Sequence, residues 1–317
     1  MRQTALAVDL GGTNLRVAVV SADGDLRARR HEATRAKAGP DIVVAQLAAL
    51  VDEVCRAAEV PADAPLGIAI PGPLDPSAEV VSFTPNLAGW RDFPVGAALR
   101  QQIHRPIALG NDGNCAALGE ATFGVARGVG DLVYLALGTG VGGGIISNGR
   151  LLEGAHGLGA EVGHVVVAMD GPRCTCGSLG CLEAFVSGWA IERDATIVAT
   201  TADGARLREL AGDGPVKPGH VAQAALEGVP SAIALLERAG RALGAALGAF
   251  VNLFAPEAIV IGGGIERLGE PLLGPARRAI ANHSFPAPRA AARLEISALG
   301  GDTALYGAAA LALERAR

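Results

Sequence analysis

Lysine is nearly absent from this chain: of 27 basic side chains only Lys37 and Lys217 are lysines, and arginine supplies the rest. A Walker-type phosphate loop ends its glycine run on a lysine, so that device is excluded as a way of holding a nucleotide. Dense basic runs are missing as well. With a formal net charge of −5 and no Lys/Arg patch, the chain lacks the electrostatic footprint of a nucleic-acid binder. Long apolar runs are also lacking, because Gly, Asp or Arg interrupts each one, and no window approaches a membrane span. The opening "MRQTALAVDLGGT" has too short an apolar stretch for a signal peptide and no small-residue cleavage site. These absences point to a cytoplasmic protein with no membrane and no nucleic-acid partner. Sulfur is scarce too, at 5 cysteines and 2 methionines. An odd cysteine count in a reducing compartment argues against a disulfide framework.

What is present is a chain of 317 residues, 50% hydrophobic and 19% charged, long enough for two ordinary domains or one large one with insertions. "TALAVDLGG" (4–12) suits a buried strand entering a tight turn, and "DGD" at 23–25 marks a hairpin between two further strands. Apolar residues at helical spacing predict a helix over 41–58 with Asp41 as N-cap. "PLGIAIPGPLD" (65–75) is a second buried strand ending in a Pro/Gly turn, and "RPIALGNDGNCAALGEA" repeats the pattern of strand, acid and helix. Near residue 131 "DLVYLALGTGVGGGIISNGR" echoes the opening, strand–glycine turn–strand. A long helix is expected over 230–254, a strand over 257–265, a last strand at "RLEISAL", and a closing helix from about Asp302, while 202–219 is loop-rich. Strands alternating with helices imply an α/β protein, and the echo suggests two related halves with a cleft between them.

Three glycine turns, "DLGGTN" (9–14), "LGTGVGGG" (137–144) and "IGGGI" (261–265), each follow a buried apolar strand. Such turns let the backbone approach a ligand and present N–H groups to an anion. Many turns of this kind are only tight hairpins. None matches a dinucleotide fingerprint, so a bound nucleotide would depend on backbone amides and Mg²⁺. Asp9 is placed to organise that metal, or to cap its own turn. Asn111-Asp112 follow the apolar "PIAL" and precede a helix, where a carboxylate accepts a hydroxyl proton or merely caps the helix. Asn86, in "FTPNLAGW", is a ligand contact or a turn residue.

Cys174, Cys176 and Cys181 fall within eight residues, and His164 stands ten residues before the first of them. One imidazole and three thiolates suit tetrahedral zinc, and the glycines at 177 and 180 allow the tight loop that convergent sulfurs need. The lack of a Cys-x-x-Cys pair disfavours a redox centre. Four protein ligands leave no open position, so the metal would be structural. Glu161 and Glu183 bracket the cluster, as surface acids or as groups drawn together by the loop.

The motifs "DLGGTN", "PGPLD", "TPNLAGW", "NDGNCAALGE", "LGTGVGGGI", "EVGH", "CTCGSLGCLE" and "VNLFAPEAIVIGGG" together resemble, over essentially the whole chain, the ROK sugar kinases, above all the bacterial glucokinases of that family. The resemblance implies a two-domain actin-like ATPase (ribonuclease H-like) α/β fold with an inter-domain cleft. A small domain over 1–112 plus 302–317 and a large one over 113–301 carrying the zinc loop are expected. It implies Asp112 as the base that takes the proton of a hexose 6-hydroxyl as it attacks the γ-phosphate of ATP. Gly72, Asn86, Asn111, Asp112, Glu161, His164 and Glu183 are implied as sugar contacts. Asp9, Gly11, Gly12, Thr13 and Asn14, with Gly138, Thr139 and Gly140, are implied on the phosphate side, Gly262, Gly263 and Gly264 on the adenosine side, and Asp9 as the Mg²⁺ acid. With His164 on zinc through one ring nitrogen, the other would donate toward the sugar. Gly113 stands where the family more often has Ala, a first-turn change that leaves the base in place. Glucose is the expected substrate; other hexoses, N-acetylhexosamines and polyphosphate as donor are the alternatives. The family's repressors carry a helix-turn-helix domain before the first turn, for which no room is expected ahead of residue 9. A homodimer or homotetramer is the implied assembly.

Overall fold

The computed structural model describes residues 3–84 and 86–316. Strands β1 (Thr4–Leu10), β2 (Asn14–Ser21) and β3 (Leu26–Ala33) form an antiparallel meander, followed by α1 (Pro40–Ala57) and β4 (Leu66–Ile70). A small sheet of β5 (Leu74–Asp75), β6 (Val80–Phe83) and β7 (Arg91–Phe93) leads to α2 (Val95–Gln102), β8 (Ile107–Asn111) and α3 (Asp112–Thr122). Then come β9 (Leu132–Leu137), β10 (Val141–Ser147) and β11 (Arg150–Leu151). Helices α4 (Glu183–Val186), α5 (Gly188–Ala199), α6 (Ala205–Ala211), α7 (Pro218–Leu226) and α8 (Pro230–Phe254) follow. The chain closes with β12 (Ala258–Gly263), α9 (Glu270–His283), α10 (Pro286–Ala291), β13 (Arg293–Ile296) and α11 (Thr303–Arg315).

The echo in the sequence is an echo in topology. One five-stranded sheet runs β3-β2-β1-β4-β8 and the other β11-β10-β9-β12-β13, so each is a meander extended by two further strands. In the first, β1 pairs antiparallel with β2 but parallel with β4, and β4 parallel with β8. The register sets Asp9 beside Ala69, and Ile70 beside Asn111. The carboxyl ends of three parallel strands therefore lie side by side, the edge at which α/β sheets hold ligands.

Side-chain size decides which helix covers which face of this sheet. Along β1, Leu6, Val8 and Leu10 join a core cluster with Val43, Val44 and Leu47 of α1. The alternate residues Ala5 and Ala7 join Ala308, Ala309 and Leu305 of α11. The period of two separates a large-residue face from a small-residue face. On the small face backbones come very close. A Cβ on Gly67 of β4 would lie 1.8 Å from the Ala308 carbonyl oxygen, and one on Gly307 of α11 would lie 1.5 Å from that of Cys115 in α3.

That close packing explains a difference from expectation. The chain forms two compact units, Met1–Tyr134 with Gly144–Ala160 and Ser297–Arg317, and Leu135–Gly143 with Glu161–Ile296. The expected boundary at Asp112 is not where the first unit ends, because α3 packs on α11 and stays with it. Two local expectations also shift. Helix α1 is capped by Gly39, with no side-chain cap, and Asp41 sits in its first turn instead. The interval 202–219 contains α6 and the start of α7. The long helix α8 matches its expected span of 230–254. Among the described residues no helix is long and apolar enough to cross a membrane.

Gly307→Ala forces a methyl into the α3 backbone and is expected to lower the unfolding free energy by about 1–3 kcal/mol in urea titrations. Gly219→Ala, in the first turn of α7, whose new methyl would meet nothing within 4 Å, is the control and should leave stability unchanged or raise it by up to about 1 kcal/mol.

Candidate functional site

In the first unit the site begins at the β1–β2 turn, closed by the Gly11 N–H donating to the Asn14 carbonyl at 2.9 Å. Thr13 and Asn14 stand exposed at its tip. Gly12 is there for close approach: a Cβ would lie 2.6 Å from Cβ of Asn86, so the "DLGGTN" and "TPNLAGW" turns touch. Asp9 is mostly buried, and the guanidinium of Arg16, its cross-strand neighbour, donates to Oδ2 at 2.8 Å. Burial raises the Asp9 pKa, and Arg16 works against that rise. The same Arg16 nitrogen donates to the Gly301 carbonyl at 2.8 Å. Arg16 was not anticipated from the sequence, because its place opposite Asp9 is set by the pairing of β1 with β2.

Asn111 and Asp112 sit where β8 becomes α3. The Asn111 side-chain oxygen accepts the Asn114 N–H at 3.1 Å, which caps the helix, and its amide nitrogen donates to the Gly72 carbonyl at 3.0 Å. Gly72 has φ +88° and no room for a side chain, since a Cβ would lie 2.4 Å from the Phe83 carbonyl oxygen. Asp112 Oδ1 accepts the Gly113 N–H at 2.8 Å. Of this pair Asn111 is the helix cap, and Asp112 stands next to it at the strand end, as the first residue of α3. Gly72, Asn111 and Asp112 form one connected group, with Gly12 and Asn86 joined as a second.

In the second unit the β9–β10 turn is closed by Gly138 N–H to the Gly140 carbonyl at 2.9 Å, and Thr139 is exposed at its tip. The Gly264 N–H donates to Leu137 at 2.8 Å, and Gly263, at φ +104°, passes so close that a Cβ would lie 2.2 Å from the same carbonyl oxygen. Gly262, Gly263 and Gly264 are thus held beside the turn at 138–140. Backbone N–H of His164 donates to the Glu161 carbonyl at 3.0 Å, and Gly163 packs on the Val141 carbonyl. Glu161 itself is exposed.

The ligand atoms of His164, Cys174, Cys176 and Cys181 lie within 4.8 Å of one another. Cys176 and Cys181 sulfurs are 3.7 Å apart, and His164 Nδ1 is 3.7 Å from Cys174 Sγ. A disulfide needs about 2 Å. A tetrahedral ion with Zn–S near 2.3 Å spaces its sulfurs about 3.8 Å apart, so the four donors fit a metal. The loop is folded by isolated bridges between Val166 and Cys181 and between Arg173 and Leu179. Burial pushes the Cys174 thiol up, whereas hydrogen bonding to Ser178 draws Cys176 down to about 7. Cys115 is a core residue whose thiol burial also pushes up.

Glu183 is buried and already engaged. Its Oε2 accepts the Val141 N–H at 2.9 Å, and its Oε1 accepts the Thr175 hydroxyl at 3.0 Å and lies 3.7 Å from Cys174 Sγ. A Cβ on Gly140 would lie 2.6 Å from Oε2. The carboxylate ties the cysteine loop to the glycine turn, a link no spacing in the sequence announced. Beside that turn is a cavity of about 340 Å³ lined by Gly138, Thr139, Trp189, Glu192, Pro218 and Ile265 among others. Glu192 and Trp189 were also missed, because on a single helix they read as an ordinary polar and an ordinary core position.

Residues 5–315 match the ROK family. A glucokinase of Thermotoga maritima is 37% identical over 312 residues, covering 98% of this chain and 97% of that protein. The crystal structure of a ROK family glucokinase from Streptomyces griseus, in complex with glucose and AMPPNP, superposes with a TM-score of 0.81 at 35% identity, covering 98% of this chain and 99% of that one. A ROK hexokinase from Thermus thermophilus gives a TM-score of 0.83 at 34% identity, covering 99% of each chain.

Asn111→Ala removes both the α3 cap and the bond to Gly72, and should cost about 1–2 kcal/mol in chemical unfolding. Asn111→Ser, which restores only a capping oxygen, should recover roughly half of that loss.

Proposed function

The chain belongs to the ROK family, and from that premise we propose that it is an ATP-dependent hexose kinase that phosphorylates the 6-hydroxyl of glucose. The observation that carries this reading is Asp112 at the carboxyl end of β8, in a group pinned by Asn111 to Gly72. A carboxylate there is an acceptor for the hydroxyl proton as the oxygen attacks phosphorus. Phosphoryl transfer needs positioning and charge neutralisation rather than covalent help. The glycine turns at 9–14 and 138–140 supply backbone donors of the kind that hold phosphates. Mg²⁺, when bound with ATP, supplies neutralising charge on the phosphates. Asp9 is the acid we assign to orient it, with Arg16 fixing that carboxylate from the other strand. Glucose is favoured because it is the sugar named for the relatives at 37% and 35% identity.

We assign zinc to the cluster of His164, Cys174, Cys176 and Cys181. Four protein ligands leave no position for an activated water, so the cluster holds rather than reacts. With Nδ1 turned toward Cys174, Nε2 of His164 is left to donate to a sugar hydroxyl. Asn86, Glu161 and Glu183 complete the proposed hydroxyl contacts. Glu183 would serve the sugar only while also bracing Thr175 and Val141.

Asp112→Asn should lower glucose-dependent ADP formation by about 10²- to 10⁴-fold with an unchanged unfolding midpoint; near-full turnover would remove Asp112 from the mechanism. Cys176→Ala should lose zinc, measured by elemental analysis, together with glucose affinity, measured by calorimetry. Loss of zinc with an unmoved Michaelis constant for glucose would break that link.

A further inference from the structure

The cavity beside the β9–β10 turn has an asymmetric lining. At one end are Gly138 and Thr139, whose turn is tied to the start of α5 by Gly188 N–H to the Gly138 carbonyl at 2.8 Å. The wall is apolar: Trp189, Pro218 and Ile265. Trp189 is held in place, packed behind against Cys174, Cys181 and Ala184, with the Arg193 guanidinium 5.2 Å from its ring centre. One turn further along α5, on the same helix face, Glu192 brings a carboxylate to the lining. Lys217 Nζ lies 3.4 Å from each of its two oxygens.

These groups sort a ligand by chemistry. Flat apolar walls suit a heterocyclic base, and backbone donors in a glycine turn suit phosphates. A carboxylate suits neither, since it repels a phosphate and accepts hydrogen bonds only. It does suit a vicinal diol, which donates two hydrogen bonds in a fixed direction. The long contacts to Lys217 keep the acid aimed while leaving it lone pairs, a carboxylate having about four acceptor sites. We propose that Glu192 selects the phosphoryl donor by accepting hydrogen bonds from the ribose hydroxyls, so that the donor is a ribonucleoside triphosphate and not an inorganic polyphosphate. The proposal rests on the kinase reading and deepens it, because nothing in the Asp112 group distinguishes one phosphoryl donor from another.

Calorimetric titration of the full chain with ADP, 2′-deoxy-ADP and 3′-deoxy-ADP tests it without turnover. The wild type should bind ADP about tenfold more tightly than the weaker deoxy nucleotide. Glu192→Ala should bind ADP about tenfold more weakly and bind the three alike, and Glu192→Gln, which keeps one acceptor oxygen, should fall between. In the glucose assay, polyphosphate should support less than about one-tenth of the ATP rate. Equal weakening of all three nucleotides in Glu192→Ala, no weakening of ADP, or polyphosphate turnover matching ATP would overturn the proposal. Ribose discrimination lost in Glu192→Ala, with no sugar phosphorylated by the wild type, would sustain the role of Glu192 and overturn the kinase reading instead.

Discussion

The side chain of Asn111 makes two hydrogen bonds in opposite directions, and the arrangement of the first unit's site depends on them. Its oxygen satisfies one of the orphan N–H groups at the start of α3, and its nitrogen holds the carbonyl of Gly72 beyond the end of β4. Because β4 and β8 are parallel neighbours, this bond joins the ends of two adjacent strands at the edge where Asp112 emerges. The acid is then set by a rigid junction, not by a loop. The same junction is braced from below by α11, which α3 meets at a separation that only glycine at 307 permits. A methyl group there would act at the site through the helix that carries it.

The second unit solves the corresponding problem with a buried carboxylate. Glu183 accepts from the hydroxyl of Thr175 in the cysteine loop and from the N–H of Val141 just past the glycine turn. Burying an acid is costly unless its oxygens are hydrogen-bonded, and here both are. The consequence is mechanical: Glu183 couples the loop that carries the three sulfurs to the turn at 138–140, so a cation bound by those sulfurs and His164 would brace that turn as well. Trp189 repeats the connection through packing, with the cysteines behind it and the apolar cavity in front. In this unit the proposed sugar-side and nucleotide-side groups thus share one support.

Much of the fold was legible because it is written in local patterns. Buried strands read as apolar runs bounded by glycine, the α8 helix as a long Ala/Leu segment, and the doubled meander as an echo between residues 4–20 and 131–150. Four donors with the chemistry of a zinc site were visible as residue types, and their convergence follows from the glycines between them. The partners of those residues were not legible. Asp9 paired with Arg16, Asn111 with Gly72, and Glu183 with Val141 across a separation of 42 residues. Hydrogen bonds of that kind depend on which strands become neighbours, and no periodicity encodes that.

The sequence by itself determined the family, the succession of strands and turns, and the residue types available for chemistry. Those properties follow from short-range sterics, from side-chain period, and from which groups can donate, accept or ligate. Tertiary structure alone decided that α3 belongs with α11, that Glu183 is a brace, and that Glu192 faces the same cavity as Thr139. Each of these depends on contacts between residues far apart in the chain. Such contacts are set by whether two backbones can approach, and at Gly67, Gly263 and Gly307 that is a matter of a single missing methyl group.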